Sequence, residues 1–428
     1  MDRSHQVLGV CNLTVRCAAL ALALLVAACA SNTASSRNTP TSTLASPSPP
    51  TYRVWSEEPG SRLAFADHSV ADTDIAELPD GRLRAYYLGP PLVNGQPVID
   101  SAISSDGLQW TPEAGVRCQL TVCLGGQPGV AALPQGGWRL FFNHPDGFYS
   151  AVTSDGLSFI ADPGARLLGS SFPLMSNMEI TGAKVVAAKG GGWRLYFSER
   201  FHGVPQPGPR PRVFSAFSTD LLNWTPDPGV RVNAAIRPKV FRLNDGTYQL
   251  FAFNMAQPTG PGGCACIMAA TSQDGLTWSD LQSTGLRGGD PSGYVLRDGS
   301  IRLYYNDGDF YPTEHNDEVF SARMVNATWG IRISRQPAVP GGTMIERVRI
   351  TVSVIGNGSP VTVSAVDATR VAPRAATGLP FTGTPQFEVS FEMQPPPQVK
   401  MDEQIKVSDG TVTRLFEVLG DPAFEPAP

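Results

Sequence analysis

The chain has 428 residues, 42% of them hydrophobic and only 17% charged, with 43 Gly and 38 Pro. That mixture leaves a large core to bury and argues for many turns and short strands over long helices. The formal net charge of −5 comes without any cluster of Lys or Arg, so phosphate neutralisation, and with it a nucleic-acid partner, is excluded.

At the N-terminus, Arg3 and Arg16 precede twelve apolar residues, Cys17 to Ala28. A bilayer needs about 20 residues to be crossed by a helix, so this run suits the hydrophobic region of a signal peptide rather than a membrane span. It ends in Val26-Ala27-Ala28-Cys29. That ending resembles the bacterial lipobox, which implies cleavage after residue 28 and lipidation of Cys29, giving attachment to a membrane or cell surface. Ordinary secretory cleavage with an incidental Cys29 is the alternative. Residues 29–51 are rich in Ser, Thr, Pro and Asn with little to bury, as expected of an unstructured tether.

Setting aside Cys11, Cys17 and Cys29 leaves four of the seven cysteines, Cys118, Cys123, Cys264 and Cys266. Export places them where disulfides form, and four cysteines permit about three pairings. Cys118–Cys123 is the first choice. Cys264–Cys266 is too tight to bridge without strain, and cross-pairing between the two loops stays open.

The centre of the chain is periodic. Leu78–Tyr87 (LPDGRLRAYY), Leu133–Phe142 (LPQGGWRLFF), Ala188–Phe197 (AKGGGWRLYF), Leu243–Ala252 (LNDGTYQLFA) and Leu296–Tyr305 (LRDGSIRLYY) align without gaps, their starts 55, 55, 55 and 53 residues apart. Each reads as a tight Gly-containing turn followed by an aromatic-rich strand, a β-hairpin. A second motif follows each: Ser101–Trp110, Ser150–Phe159, Ser215–Trp224, Met268–Trp278 and the eroded Ser321–Trp329. Its aspartates, Asp106, Asp155, Asp220 and Asp274, read as turn formers rather than catalysts, because Asp bonds readily to nearby backbone in turns.

Five such units with no convincing amphipathic helix predict an all-β protein: a five-bladed β-propeller over residues 52–342. The stretch near Tyr52–Phe65 or the segment after Trp329 would complete the last blade. Beyond it, residues 343–428 alternate apolar and polar positions, predicting a small C-terminal β-sandwich-like domain.

In a propeller the innermost strands ring the axis. Six residues before each hairpin motif stand Asp72, Gln127, Gly182, Arg237 and Asp290; four before stand Asp74, Gly129, Lys184, Lys239 and Ser292. The next positions are apolar, so the strands should start in a wet, charged mouth and run into a packed core. His144, Glu199 and Asp307, just past the second strands, should rim the same mouth. His144, His202 and His315 are scattered and form no metal set, and nothing in the sequence calls for a cofactor.

These hairpins and turns resemble those of the five-bladed glycosidases: arabinanases, β-xylosidases, levansucrases and invertases. The resemblance covers roughly residues 66–335. It implies a glycan ligand and three inner-strand carboxylates, since glycosidic cleavage needs one group to protonate the leaving oxygen and another to activate water or attack carbon. Residue by residue, the first-blade aspartate falls on Asp72, with Asp74 and Asp67 nearby, and the acid on Glu179, with Glu199 as a second candidate. The second-blade carboxylate column is occupied by Gly129, with Asp146 as a conceivable stand-in. On this reading Asp72 and Glu179 are catalytic and Asp74, His144, Glu199, Arg237, Lys239, Asp290 and Asp307 bind substrate. Arg237 and Lys239 can equally pair with aspartates across the axis. The rival expectation is a propeller that binds carbohydrate or protein and has lost its catalytic set.

Overall fold

The structure is a computed structural model and describes residues 52–93, 96–118, 126–172, 178–201, 211–253, 266–306, 317–342, 347–367, 379–393 and 403–417. Five antiparallel sheets account for the periodic region. Blade one is Ala71–Glu77, Leu83–Val93, Gln96–Ser104 and Thr111–Pro112; blade two runs outward from Gly129–Ala132 through Trp138–His144 and Gly147–Thr153. Blade three begins at Met178–Ala187 and blade four at Ile236–Arg242. Blade five comprises Gly289–Val295, Ile301–Asn306 and Val319–Ala327, and its fourth strand is Tyr52–Glu57, supplied from the start of the folded chain. The five innermost strands neighbour one another in cyclic order, the first touching the last. Ring closure by Tyr52–Glu57 leaves no open edge between the two ends of the repeat.

The recurring residues are staples between blades. In each Asp turn one carboxylate oxygen accepts two backbone N–H groups, at 2.7 and 2.9 Å for Asp106, and Asp155, Asp220 and Asp274 repeat the geometry. The hairpin tyrosine of one blade donates to the glycine carbonyl of the next blade's turn: Tyr86 to Gly156, Tyr196 to Gly275, and Tyr304 of blade five back to Gly107 of blade one, at 2.9, 2.5 and 2.7 Å. A Cβ on Gly107 would lie 2.6 Å from that Tyr304 hydroxyl, so glycine and tyrosine go together. Where the turn carries Leu221 instead, the facing residue is Phe141, which has no hydroxyl and packs edge-on against Trp224.

A second staple pairs the hairpin arginine with an acid in its own blade. Arg84–Glu113, Arg139–Asp162, Arg194–Asp227 and Arg302–Glu58 are all made at 2.7–2.8 Å, and Ser101, Ser150, Ser215 and Ser321 donate to the same carboxylates. Each acid opens a short motif, Glu58-Pro-Gly-Ser-Arg62, Glu113-Ala-Gly-Val-Arg117, Asp162-Pro-Gly-Ala-Arg166 and Asp227-Pro-Gly-Val-Arg231. Its arginine folds back onto the carbonyls inside the motif; Arg62, Arg166 and Arg231 also reach a leucine carbonyl of a neighbouring blade.

Because Tyr52–Glu57 fills the outer place of blade five, the chain leaves the propeller after Ala327, earlier than the boundary at 342 expected from the sequence. Trp329–Pro337 already pairs with Val348–Gly356, which pairs with Phe387–Met393. The four-stranded sheet Phe381–Gly383, Val361–Asp367, Glu403–Ser408 and Thr413–Glu417 packs against this sheet. Trp329, expected as the aromatic anchor of the fifth repeat, is instead fully buried in the sandwich core, its indole N–H donating to Asp409 at 2.8 Å. The same core takes in Val54 and Ala327 of blade five, so the two bodies share apolar packing. Thr413 and Leu415 also donate backbone N–H groups to Ser56 and Glu57.

Among the described residues the only helical turn is Gly169–Ser171, and no helix is long and apolar enough to cross a membrane. Cys118 is buried and disulfide-bonded. Cys29, Cys123 and Asp307 lie outside the described residues.

Candidate functional site

The five innermost strands share an unusual start. Asp72, Gln127, Gly182, Arg237 and Asp290 all have left-handed backbones, with φ of 54°, 55°, 72°, 53° and 51°. In blades one, three, four and five the pairing register slips by one residue just there, between Ala71 and Asp74, Thr181 and Lys184, Ile236 and Lys239, and Gly289 and Ser292. These are β-bulges, which re-aim side chains and are common beside functional sites. For a residue with a Cβ the left-handed conformation costs about 1–2 kcal/mol, so surrounding contacts must hold it in place.

Those contacts form the upper tier of the mouth. One terminal nitrogen of Arg237 contacts the Asp290 carboxylate and lies 3.3 Å from that of Asp72, and the Arg237 backbone N–H donates to the Ser198 hydroxyl at 3.0 Å. Across the ring, Asn143 donates to the Gln127 side-chain oxygen at 2.5 Å and to the Thr181 hydroxyl at 2.8 Å. Burial pushes Asp72 up to about 6 even though Arg237 pulls it down; the Asp290 charge adds to the rise. Against its own burial, Arg237 is held above its usual range by Asp290 and Asp72. Glu179 borders this opening. It lies 3.9 Å from Arg200, whose side chain is half exposed and whose charge also lowers Asp72.

The lower tier is a plug. Asp74 is fully buried, and its two oxygens accept from Lys239 Nζ at 2.6 Å and from the Val130 backbone N–H at 2.8 Å. Lys184 Nζ lies 4.0 Å from the same carboxylate and donates to the carbonyls of Thr73 and Pro128 at 3.1 and 2.5 Å. Burial pushes Asp74 up, but Lys184 and Lys239 outweigh it and hold the carboxyl below its usual range; burial lowers Lys184. Gly129 belongs to this tier, and a Cβ built on it would sit 1.9 Å from the Ala183 carbonyl oxygen. The strands of blades two and three approach too closely there for any side chain.

The site residues therefore separate into three groups. Asp72, Arg237 and Asp290 meet at the mouth, with Glu179 at its edge and His144 on its rim, paired to Asp146 at 2.5 Å. Asp74 and Lys239, expected to contact substrate, are buried and paired with each other, and Asp74 also accepts from Val130 and lies 4.0 Å from Lys184. Glu199, expected on the rim, is fully buried and held in a two-pronged ion pair by Arg212, with both contacts at 2.8 Å. Sequence reasoning missed Gln127, Asn143 and Thr181 as a connected network and Arg200 as the partner of Glu179. The signal for the pair was available, since Glu179 and Arg200 stand opposite each other across one hairpin.

Chemically, the mouth presents a guanidinium held between carboxylates, flanked by amide and hydroxyl groups, above a floor closed by ion pairs. Such a surface can exchange several hydrogen bonds with a polyhydroxylated ligand. Position 129, where the resemblance puts the second-blade carboxylate, leaves no room for a side chain.

No family model matches the sequence, and no curated protein sequence matches it. Solved structures do resemble it. The Bombyx mori GH32 beta-fructofuranosidase BmSUC1 is 11% identical over 86% of this chain and 89% of its own, with a TM-score of 0.52. A mutant of that enzyme in complex with sucrose gives 12%, 84%, 89% and 0.52. A thermostable family-43 glycoside hydrolase, 14% identical over 63% of this chain and 92% of its own, reaches 0.47, too loose a likeness to argue from. At such identities the likeness speaks for fold alone: this chain has the all-β propeller architecture of the glycoside hydrolases, with a β-sandwich after it.

Proposed function

We propose that this chain is an exported lipoprotein, cut before Cys29 and anchored through it, whose propeller mouth binds a glycan without cleaving it. One observation carries the binding reading: position 129, where the glycosidase pattern wants its second carboxylate, is closed by the Ala183 carbonyl, while Asp74 beside it is locked between two lysines. What remains at the mouth is Arg237 between Asp72 and Asp290, with Glu179, Arg200 and His144 around them. Paired acid and base groups with different proton affinities are what hydrolysis requires. Fixed hydrogen-bonding groups are what recognition requires. The apolar run before Cys29 and the Ser/Thr/Pro tether after it support export and anchoring, and in this reading the disulfide of Cys118 pairs with Cys123.

A second reading, hydrolysis by Asp72 and Glu179, is favoured by one feature, the rise of Asp72 to about 6. A screen of arabinan, xylan, fructan and aryl-glycosides against wild type and Asp72→Asn separates the two. Saturable binding without product supports the binding reading, and product formation abolished by Asp72→Asn replaces it with the hydrolytic one. Neither binding nor product overturns both. For the anchor, Cys29→Ala should release the protein from membranes; retention of the variant would rule out lipidation at that residue.

A further inference from the structure

Two places on the rim, on adjacent blades, repeat one arrangement that the mouth itself does not use. Beside blade one, just before Asp72, the His68 imidazole stacks on Phe65 with ring centroids 4.2 Å apart, and its Nδ1 lies 2.7 Å from the Asp67 carboxylate. On blade two, in the turn after Trp138–His144, the His144 ring lies 4.7 Å from that of Tyr149. Its Nδ1 lies 2.5 Å from Asp146, which also accepts from the Tyr149 hydroxyl at 3.1 Å.

A carboxylate can only accept, so in both pairs Nδ1 is the donor and Nε2 is left outside the pairing. Neither Nε2 has a hydrogen-bond partner among the described residues. The side chains are open to solvent to different degrees: 19% for His68 and 85% for Asp67, 33% for His144 and 53% for Asp146. Each place thus combines a partly exposed ring, an oriented imidazole nitrogen and an exposed carboxylate. A sugar ring has apolar C–H faces and a belt of hydroxyls, and it fits that combination: ring on ring, hydroxyls to nitrogen and carboxylate.

Both lie at the end of the propeller where the inner strands begin. Ala71, next to Asp72, pairs with Leu88 at the far end of its hairpin, and the Asn143 backbone N–H donates to Gly126 beside Gln127. Leu88 of blade one in turn abuts Gly126 of blade two, so the two blades adjoin at this level.

Resting on the glycan reading above, we propose that these are two sugar-binding stations. The ligand is then an oligosaccharide longer than a disaccharide, lying across the rims of blades one and two beside the axial mouth, rather than a small sugar held in the mouth alone. The juxtaposition that carries this is the repeated His–Asp–aromatic arrangement on neighbouring blades at one end of the propeller.

The test is calorimetric titration of the full chain with length series, monosaccharide to hexasaccharide, of arabinan, xylan and fructan fragments. Affinity should rise with length. Tyr149→Ala should weaken the longer fragments about three- to tenfold while leaving monosaccharide binding unchanged. His68→Ala does the same for the first station without removing Phe65 from its packing. Affinity independent of length, or station variants that bind long fragments as wild type does, overturns the stations and leaves the glycan reading standing. Absence of binding by wild type at every length overturns both.

Discussion

An alanine at position 129 tests the closed floor of the mouth with a single methyl group. Its Cβ would fall 1.9 Å from the Ala183 carbonyl oxygen, and real Cβ contacts essentially never fall below 3.0 Å, so the strands of blades two and three must part by about 1 Å. Both atoms are backbone-fixed, and no flexible side chain can give way instead. The neighbouring N–H of Val130, which donates to Asp74 at 2.8 Å, would be carried along. Overpacking of this kind costs about 3 kcal/mol, the upper part of its usual range. Gly136→Ala is the control: unlike Gly129 it has a positive φ, of 93°, but meets nothing within 4 Å, so only the conformational cost of about 1 kcal/mol applies. For a chain of this size 1 kcal/mol moves the melting temperature by roughly 1 °C. Thermal melting followed by circular dichroism should then show Gly129→Ala down by about 3 °C and Gly136→Ala by about 1 °C. Equal melting of the two variants would refute the argument that the strands exclude a side chain at 129. Gly129→Asp should likewise fail to introduce hydrolysis.

Asp74→Asn should destabilise by about 3–5 kcal/mol, because Lys184 and Lys239 are left buried without their carboxylate. Adding Lys239→Met should recover part of that loss in the same melting assay, and an additive double variant would contradict the shared ion-pair plug. Glu57, at the junction with the sandwich, is pushed by burial from 4.5 up to about 7 against the pull of Arg414. Its folded form therefore holds a proton that the unfolded chain releases. The stabilisation is complete below about pH 4.5 and lost as pH rises through about 7, and Glu57→Gln should remove that slope from melting temperatures measured across the range. Asp72, raised to about 6, follows the same sign for stability. For binding the direction reverses: its carboxylate becomes available as an acceptor as pH rises through about 6, so glycan affinity should increase from pH 5 to pH 7 and Asp72→Asn should flatten the profile.

The repeat was legible because it is built from local turn chemistry and hydrophobic pattern. Gly-containing hairpins and Asp turns look alike wherever they occur, and so the five units and the structural role of Asp106, Asp155, Asp220 and Asp274 could be read directly. The partner of the last blade was legible only as two alternatives, the stretch near Tyr52–Phe65, which the structure bears out, and the segment after Trp329, because pairing of Tyr52–Glu57 with Val319–Ala327 joins segments almost the whole repeat apart and alternation alone does not choose between them. The same ambiguity misassigned Trp329, whose spacing fits the fifth repeat but whose ring is buried in the sandwich. Counting back from the hairpins located Asp72, Arg237 and Asp290, since equivalent positions converge on an axis. Spacing could not show that two residues lower the side chains are buried, with Asp74 held by Lys239, Lys184 and the Val130 N–H, nor that Glu199 faces Arg212. The arginine motifs after the Asp106, Asp155 and Asp220 turns stand in the sequence as a repeat, but which carbonyls their arginines reach in the neighbouring blade is set by tertiary geometry.

The account turns on where a sugar sits. A crystal structure of the protein with a bound arabinan, xylan or fructan oligosaccharide is the most direct measurement: the account predicts an intact chain at the mouth, hydrogen-bonded to Asp72 and Arg237 and extending toward His144. An oligosaccharide seated on the sandwich or on an outer blade edge, or cleaved at the mouth, would contradict it.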